Sequence, residues 1–196
     1  MILLKEHMFN IMNMKTDELE KYMIIKAMKR VLYFPNKAFS VRGLAREMGI
    51  SVGSAKSALD FMAGTKIVKL SVVGRTYQYR ADLESVLCRQ WKVVFNLEEI
   101  RNSGIMHIPE NENVFSVLLY GSFAKGTNDE KSDVDVLYVA HKMPKERAGA
   151  PRFEREVNVS WITLDNWKKK AREDKVFYES VIYDSIVLYG QRPVVV

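Results

Sequence analysis

Two apolar runs, separated by a Gly-Ser turn and a polar spacer, constrain this chain more than any other stretch. The first, Val114, Phe115, Val117, Leu118 and Leu119, closes on Tyr120-Gly121-Ser122. After ten further residues comes Asp133-Val134-Asp135, and the second run continues with Val136, Leu137, Tyr138 and Val139. Short runs rich in β-branched and aromatic residues, bounded by turn residues, predict strands. Residues i and i+2 of a strand point to one face, so Asp133 and Asp135 offer two carboxylates to one cation. Oxygen-only ligation suits Mg²⁺, which usually takes one or two carboxylates plus substrate phosphates. The Gly121-Ser122 turn can bring backbone N–H groups and a hydroxyl to those phosphates. A phosphate cradle beside metal carboxylates points to phosphoryl or nucleotidyl transfer. Alone, a Gly-Ser pair reads as a turn and Asp-x-Asp as solvated surface. The spacing between two strands carries the inference.

The run GSFAKGTNDEKSDVD, fifteen residues long, resembles the DNA polymerase beta-type nucleotidyltransferase superfamily, in particular its minimal members. The resemblance extends more loosely from about Asn113 to Gly190. It implies Gly121, Ser122, Lys125 and Ser132 for nucleotide binding. Asp133 and Asp135 would bind Mg²⁺ and serve as catalytic carboxylates. Lys125 reads equally as a surface lysine. The family usually adds a third carboxylate on the third strand, and the aligned residue here is Asn158. Asparagine can ligate through its carbonyl but cannot accept a proton in the same way. Glu156, two residues earlier on the same strand face, is the candidate catalytic substitute, and Glu154 a more distant one.

The 196 residues suffice for one large or two small domains. With 47% apolar and 28% charged residues, the composition is that of an ordinary soluble globular protein. The apolar stretches are far below the roughly 20 residues that span a bilayer. Met1-Ile2-Leu3-Leu4 is too short for a signal-peptide core, and Lys5, Glu6 and His7 follow at once. The single Cys88 excludes an internal disulfide, and a reducing cytoplasm is the expected setting. His7, His107 and His141 are scattered, which argues against a zinc cluster. Residues 1–85 carry 14 Lys/Arg against 8 Asp/Glu, whereas residues 86–196 carry 16 of each. The whole positive excess lies in the N-terminal part, which suggests an anionic partner there, nucleic acid before membrane.

From Thr16 or Asp17, Leu19, Met23, Ile24, Ala27, Met28, Val31 and Leu32 recur at helical spacing, and Pro35 ends that helix. Ser40 reads as the cap of a second helix ending at Gly49, and Ser51 as the cap of a third ending at Gly64. Ile67–Val73 and Thr76–Tyr79, joined at Gly74-Arg75, read as a hairpin. The stretch SVRGLAREMGISVGSAKSALDFMAGTKIVKL resembles the winged helix-turn-helix domains of transcription regulators. That resemblance makes Ser51–Ala63 the recognition helix. Ser54, Lys56 and Ser57 become groove contacts, and Arg75 a minor-groove contact at the wing tip. Against DNA, Lys56 is the helix's one cation and Asp60 offsets it, so a protein-contact role stays open.

A longer helix is expected from Ala81 to about Asn102. In the C-terminal part, strands are expected at Val114–Tyr120, Val134–Val139, Arg155–Thr163 and Ser185–Tyr189, with helices at Leu164–Arg172 and Lys175–Asp184. Leu164-Asp165 is the candidate cap. The fold class expected is α+β. A winged helix-turn-helix (1–81), a linker helix (82–104) and a small mixed-sheet nucleotidyltransferase domain (105–196) follow one another. The activity expected is Mg²⁺-dependent transfer of a nucleoside monophosphate, AMP from ATP first, to a hydroxyl of a protein, RNA or small molecule. The alternative is a winged-helix regulator whose C-terminal domain senses nucleotide or is inactive. DNA, a protein acceptor and a second copy in a homodimer are the other partners expected, with no membrane.

Overall fold

The computed structural model describes residues 22–103, 105, 113–144 and 155–195. Helix α1 (Met23–Tyr33) buries Ala27, Met28, Val31 and Leu32 along one stripe. The earlier start expected for it, at residue 16 or 17, lies outside the described residues. Helix α2 (Val41–Met48) begins where Ser40 Oγ accepts from Gly43 N at 3.1 Å. It ends at Gly49, whose φ of 65° is left-handed. Ser51 Oγ likewise accepts from Ser54 N at 3.0 Å and opens α3 (Val52–Gly64). Strands β1 (Val68–Val73) and β2 (Thr76–Ala81) pair antiparallel across the Gly74-Arg75 turn. A bridge between Phe39 and Tyr79 ties the α1–α2 connection to β2. Met28, Phe39, Leu44, Leu59, Met62 and Ile67 form the centre of this first core.

The next helix starts later than the periodicity suggests. Ala81 pairs with Val68 in the hairpin, and Asp82 N donates to Ile67 O at 3.0 Å. Asp82 Oδ1 then accepts from Glu84 N, so Asp82 and Glu84 make a tight turn ahead of the helix. Ser85 Oγ accepts from Cys88 N at 3.4 Å, and α4 runs over Val86–Ser103. Its N-terminal half contributes Cys88 and Phe95 to the first core, and its C-terminal half contributes Ile100 to a second.

The second half is built on a four-stranded mixed sheet in the order β5-β4-β3-β6. The strands are β3 (Val114–Tyr120), β4 (Val134–Ala140), β5 (Val157–Thr163) and β6 (Ile186–Gly190). Only the β4–β5 pair is parallel. A five-residue helix, α5 (Gly121–Lys125), follows β3 directly, where the Gly121-Ser122 pair suggests a turn alone. Helices α6 (Leu164–Glu173) and α7 (Lys175–Asp184) lie between β5 and β6. Thr163 caps α6, its Oγ1 accepting from Asn166 N at 3.3 Å, in place of the Leu164-Asp165 cap expected. Alternation splits the strands between two layers. Val117, Leu119, Val136 and Tyr138 face Ile100 and Phe123, while Leu118, Leu137 and Val139 face Trp167, Val181 and Ile182. The architecture is α+β with a small mixed sheet. Among the described residues no helix is long and apolar enough to cross a membrane.

Candidate active site

Tyr120 on β3 pairs with Asp135 on β4, and Asp135 pairs with Asn158 on β5. Residues in lateral register share a face, so this row crosses three strands on one side of the sheet. At its β3 end the chain turns through Gly121, whose φ is +70°. A Cβ there would stand 2.5 Å from Asp135 Oδ2. Only glycine lets the backbone pass so close to the carboxylate in a left-handed conformation. Helix α5 then stops at Gly126, also left-handed, and Ser122 O accepts from Thr127 N at 3.0 Å.

Asp133 and Asp135 converge as their spacing predicts. Asn158 Nδ2 lies 3.4 Å from Asp133 Oδ2 and 3.2 Å from Asp135 Oδ1, so one amide donates to both. Two carboxylate oxygens aimed at one point form an oxygen donor set that fits a hard cation, and Asn158 could add a carbonyl oxygen by turning its amide. Among the described residues no group of three His, Cys, Asp or Glu side chains could hold a metal. The third place near the pair is thus an amide. Glu156 is exposed just ahead of β5, and its carbonyl accepts from Val134 N at 2.9 Å. Glu154 lies outside the described residues.

The remaining nucleotide-site candidates are engaged locally. Ser132 Oγ donates to Asp129 Oδ1 and accepts from Asp129 N, both at 2.9 Å, so it locks the turn that delivers Asp133. The Lys131 backbone N–H and the Ser132 hydroxyl hold the Asp129 carboxyl below its usual range. Lys125 Nζ sits 2.6 Å from Asp184 Oδ2, directed to α7. Tyr120 joins these residues although the motif spacing does not single it out. Burial and then the Asp135 carboxylate push its hydroxyl pKa up, and its ring meets Phe177 edge-on. Its position as the last residue of β3 was the available signal.

The groove candidates of the N-terminal half form a separate group. Ser54 Oγ bonds to Ser51 Oγ at 2.8 Å, and Lys56 pairs with Asp60, which also accepts from Tyr79 OH at 3.1 Å. Ser57 is exposed on α3, and Arg75 is exposed at the hairpin tip. Phe61 on the same helix is 45% exposed.

Residues 107–189 match the model of the nucleotidyltransferase domain family. A 51-residue stretch is 37% identical to a protein of Methanocaldococcus jannaschii whose name gives it, provisionally, as a protein adenylyltransferase. That stretch takes in 26% of this chain and 35% of that protein, so the chain spans about a third of the relative it matches. A nucleotidyltransferase domain implies a nucleoside triphosphate substrate, and such domains generally use divalent metal ions. The row of Tyr120, Asp135 and Asn158 beneath Gly121, together with these similarities, supports the nucleotidyltransferase superfamily for the C-terminal part of the chain.

Proposed function

We propose that this protein is an Mg²⁺-dependent nucleotidyltransferase that moves a nucleoside monophosphate, AMP from ATP first, to an acceptor hydroxyl. The convergence of Asp133 and Asp135 beneath Gly121 carries the reading. Asp133 and Asp135 would hold the metal, which when bound supplies charge neutralisation at the phosphate oxygens. Gly121 and Ser122 bind the triphosphate, and Ser132 keeps Asp133 in place. The acceptor oxygen forms a bond to the α-phosphorus while the bond from that phosphorus to the α,β-bridging oxygen breaks, and pyrophosphate leaves. The acceptor hydroxyl's proton goes to a base, and Glu156 offers the exposed carboxylate for it. The name of the archaeal relative supports a protein hydroxyl as acceptor before RNA or a small molecule.

In this reading residues 1–81 form a winged helix-turn-helix domain that binds nucleic acid or a partner through Ser54, Lys56, Ser57 and Arg75. Residues 82–104 link it to the transferase domain at 105–196, and the chain acts as a cytoplasmic homodimer. Three helices followed by a hairpin, with the tie from Phe39 to Tyr79, support that arrangement. A second reading is favoured by Asn158. With an amide in the third place, the domain would bind nucleotide and regulate a winged-helix reader without transferring.

Calorimetry with ATP and the other nucleoside triphosphates, with and without Mg²⁺, on wild type and Asp135→Asn, tests the proposal. Mg²⁺-dependent binding that the substitution removes is expected, followed by pyrophosphate release once an acceptor is supplied. Binding without pyrophosphate release under any acceptor would favour the regulatory reading. No binding to the wild type would sink both.

A further inference from the structure

Arg155 was not singled out by any sequence motif, yet it holds the turn that leads into β4 and stands two residues ahead of β5. Its side chain is only 5% exposed. Nη1 donates to Asp129 O at 2.6 Å. The guanidinium lies 4.6 Å from the centroid of the Tyr33 ring on α1 and 5.4 Å from that of Phe123 on α5. Nε stands 3.9 Å from Glu99 Oε1 on α4, beyond hydrogen-bond reach, and has no hydrogen-bond partner. It borders a small pocket of about 30 Å³ that is also lined by Lys92, Asn96 and Asn128. Burying a charge on one hydrogen bond, two ring faces and a long ion pair to Glu99 is costly, and apolar residues of similar volume often stabilise as well or better. A pin between helices did not need an arginine.

The connections of its partners explain the choice. Asp129 begins the turn locked by Ser132 that delivers Asp133, and Asn36 Nδ2 reaches Asp129 Oδ2 at 3.4 Å from the end of α1. Asn128, one residue earlier, is fixed through the Asn96 side chain, which also donates to Phe123 O at 2.9 Å. Just ahead of β5, Arg155 adjoins Glu156, whose carbonyl receives Val134 N, and stands three residues before Asn158. One planar guanidinium therefore sets the entry of β4, which carries Asp133, against the entry of β5, which carries Asn158.

We propose that Arg155 is a positioning residue for the Asp133–Asp135 cation site, holding both strand entries in the spacing at which the two carboxylates share one cation. The inference rests on the nucleotidyltransferase reading above. Residues that orient metal ligands from outside typically change metal affinity about 10- to 100-fold when substituted.

The test uses the full chain with Mn²⁺ as the probe. Its affinity in the presence of ATP is read by electron paramagnetic resonance for wild type, Arg155→Lys, Arg155→Met and Tyr33→Leu, beside their melting curves. Arg155→Met is expected to lose about tenfold in Mn²⁺–ATP affinity while folded, and Arg155→Lys to fall between, because lysine keeps the charge but lacks the planar fork. Tyr33→Leu, which leaves the Asp129 contact intact, is expected to lose less. Should Arg155→Met fail to fold, Arg155→Lys decides. Wild-type Mn²⁺ affinity in the folded lysine or methionine variant, with only a lowered melting point, would reduce Arg155 to a structural pin and overturn the inference. A wild type that binds no Mn²⁺–ATP would instead overturn the nucleotide reading, and this inference with it.

Discussion

Asp135 faces Asn158 across the parallel β4–β5 pair, its Oδ1 3.2 Å from the asparagine amide nitrogen. That contact places a donor where a carboxylate would repel. Asn158→Asp should therefore bind divalent cations about tenfold more tightly and melt lower in metal-free buffer, by about 1 kcal/mol, because three carboxylates then share one place. Transfer should rise with the affinity. Melting curves with EDTA and with Mg²⁺ check the first part: an aspartate variant indifferent to Mg²⁺ would show that the row does not hold the cation.

Gly121 makes a sharper case. An alanine there combines a φ of +70° with a Cβ 2.5 Å from Asp135 Oδ2. The strain of a left-handed non-glycine residue is about 1–2 kcal/mol, and the carboxylate must also move. Gly121→Ala should lower stability by at least that much and weaken Mg²⁺–ATP binding more than tenfold in the folded fraction. Denaturant unfolding and calorimetry on the same sample separate the two losses.

Lys125 is paired with Asp184, so its service to a triphosphate depends on release. Asp184→Asn should tighten ATP binding two- to fivefold, and adding Lys125→Met should abolish that gain, a coupling of roughly 0.5–1 kcal/mol for an exposed pair. If the double variant binds ATP like Asp184→Asn alone, Lys125 is a surface lysine.

How far the residues announced this arrangement depends on which forces set each part. Asp133 and Asp135 were legible because strand alternation is a local rule. The caps at Ser40 and Ser51, the stop at Gly49 and the hairpin turn at Gly74 were legible for the same reason: one residue's chemistry fixes each. The start of α4 was not. Asp82 and Glu84 look like a helical first turn, but pairing of Ala81 with Val68, distant in sequence, commits the chain to the hairpin first. Arg155 was invisible because its partners, Asp129 O, Tyr33 and Phe123, come from three separate segments. Nor could sequence reveal that Lys125 is matched by Asp184, since that pair is set by packing of α5 on α7.

Lys92 supplies a pH signature. It is 3% exposed, its Nζ donates to Leu32 O at 2.8 Å, and burial brings its pKa from 10.5 down to about 8. Burial drives Cys88, one turn away, the opposite way, from 9.0 to about 11. Between pH 8 and 10.5 the unfolded chain keeps the Lys92 proton longer than the folded one, so stability climbs with pH. Above pH 9 the Cys88 thiol opposes that climb, because the folded state then holds its proton longer. Wild type should gain about 1 kcal/mol from pH 8 to 9 relative to Lys92→Met. Urea unfolding at pH 7, 8 and 9 measures the difference, and parallel curves would disprove it.

For nucleic acid, Arg75 and Lys56 should differ. Lys56 is already neutralised by Asp60, whereas Arg75 stands exposed at the hairpin tip. Arg75→Ala should weaken binding to duplex DNA several-fold and lower the salt slope by about one ion, while Lys56→Ala should change the slope by less. Fluorescence anisotropy across a salt series reads both, and identical slopes in all three proteins would remove the hairpin from the interface.

Helix α4 gives Cys88 and Phe95 to one core and Ile100 to the other. It therefore has no neutral place to be cut. Division ahead of it would strip the N-terminal helices of two buried side chains, and division behind it would uncover the layer beneath β3 and β4. Fragments prepared as if the chain were two beads on a string should be less soluble than the whole, and a partner that grips one half should be felt in the melting of the other.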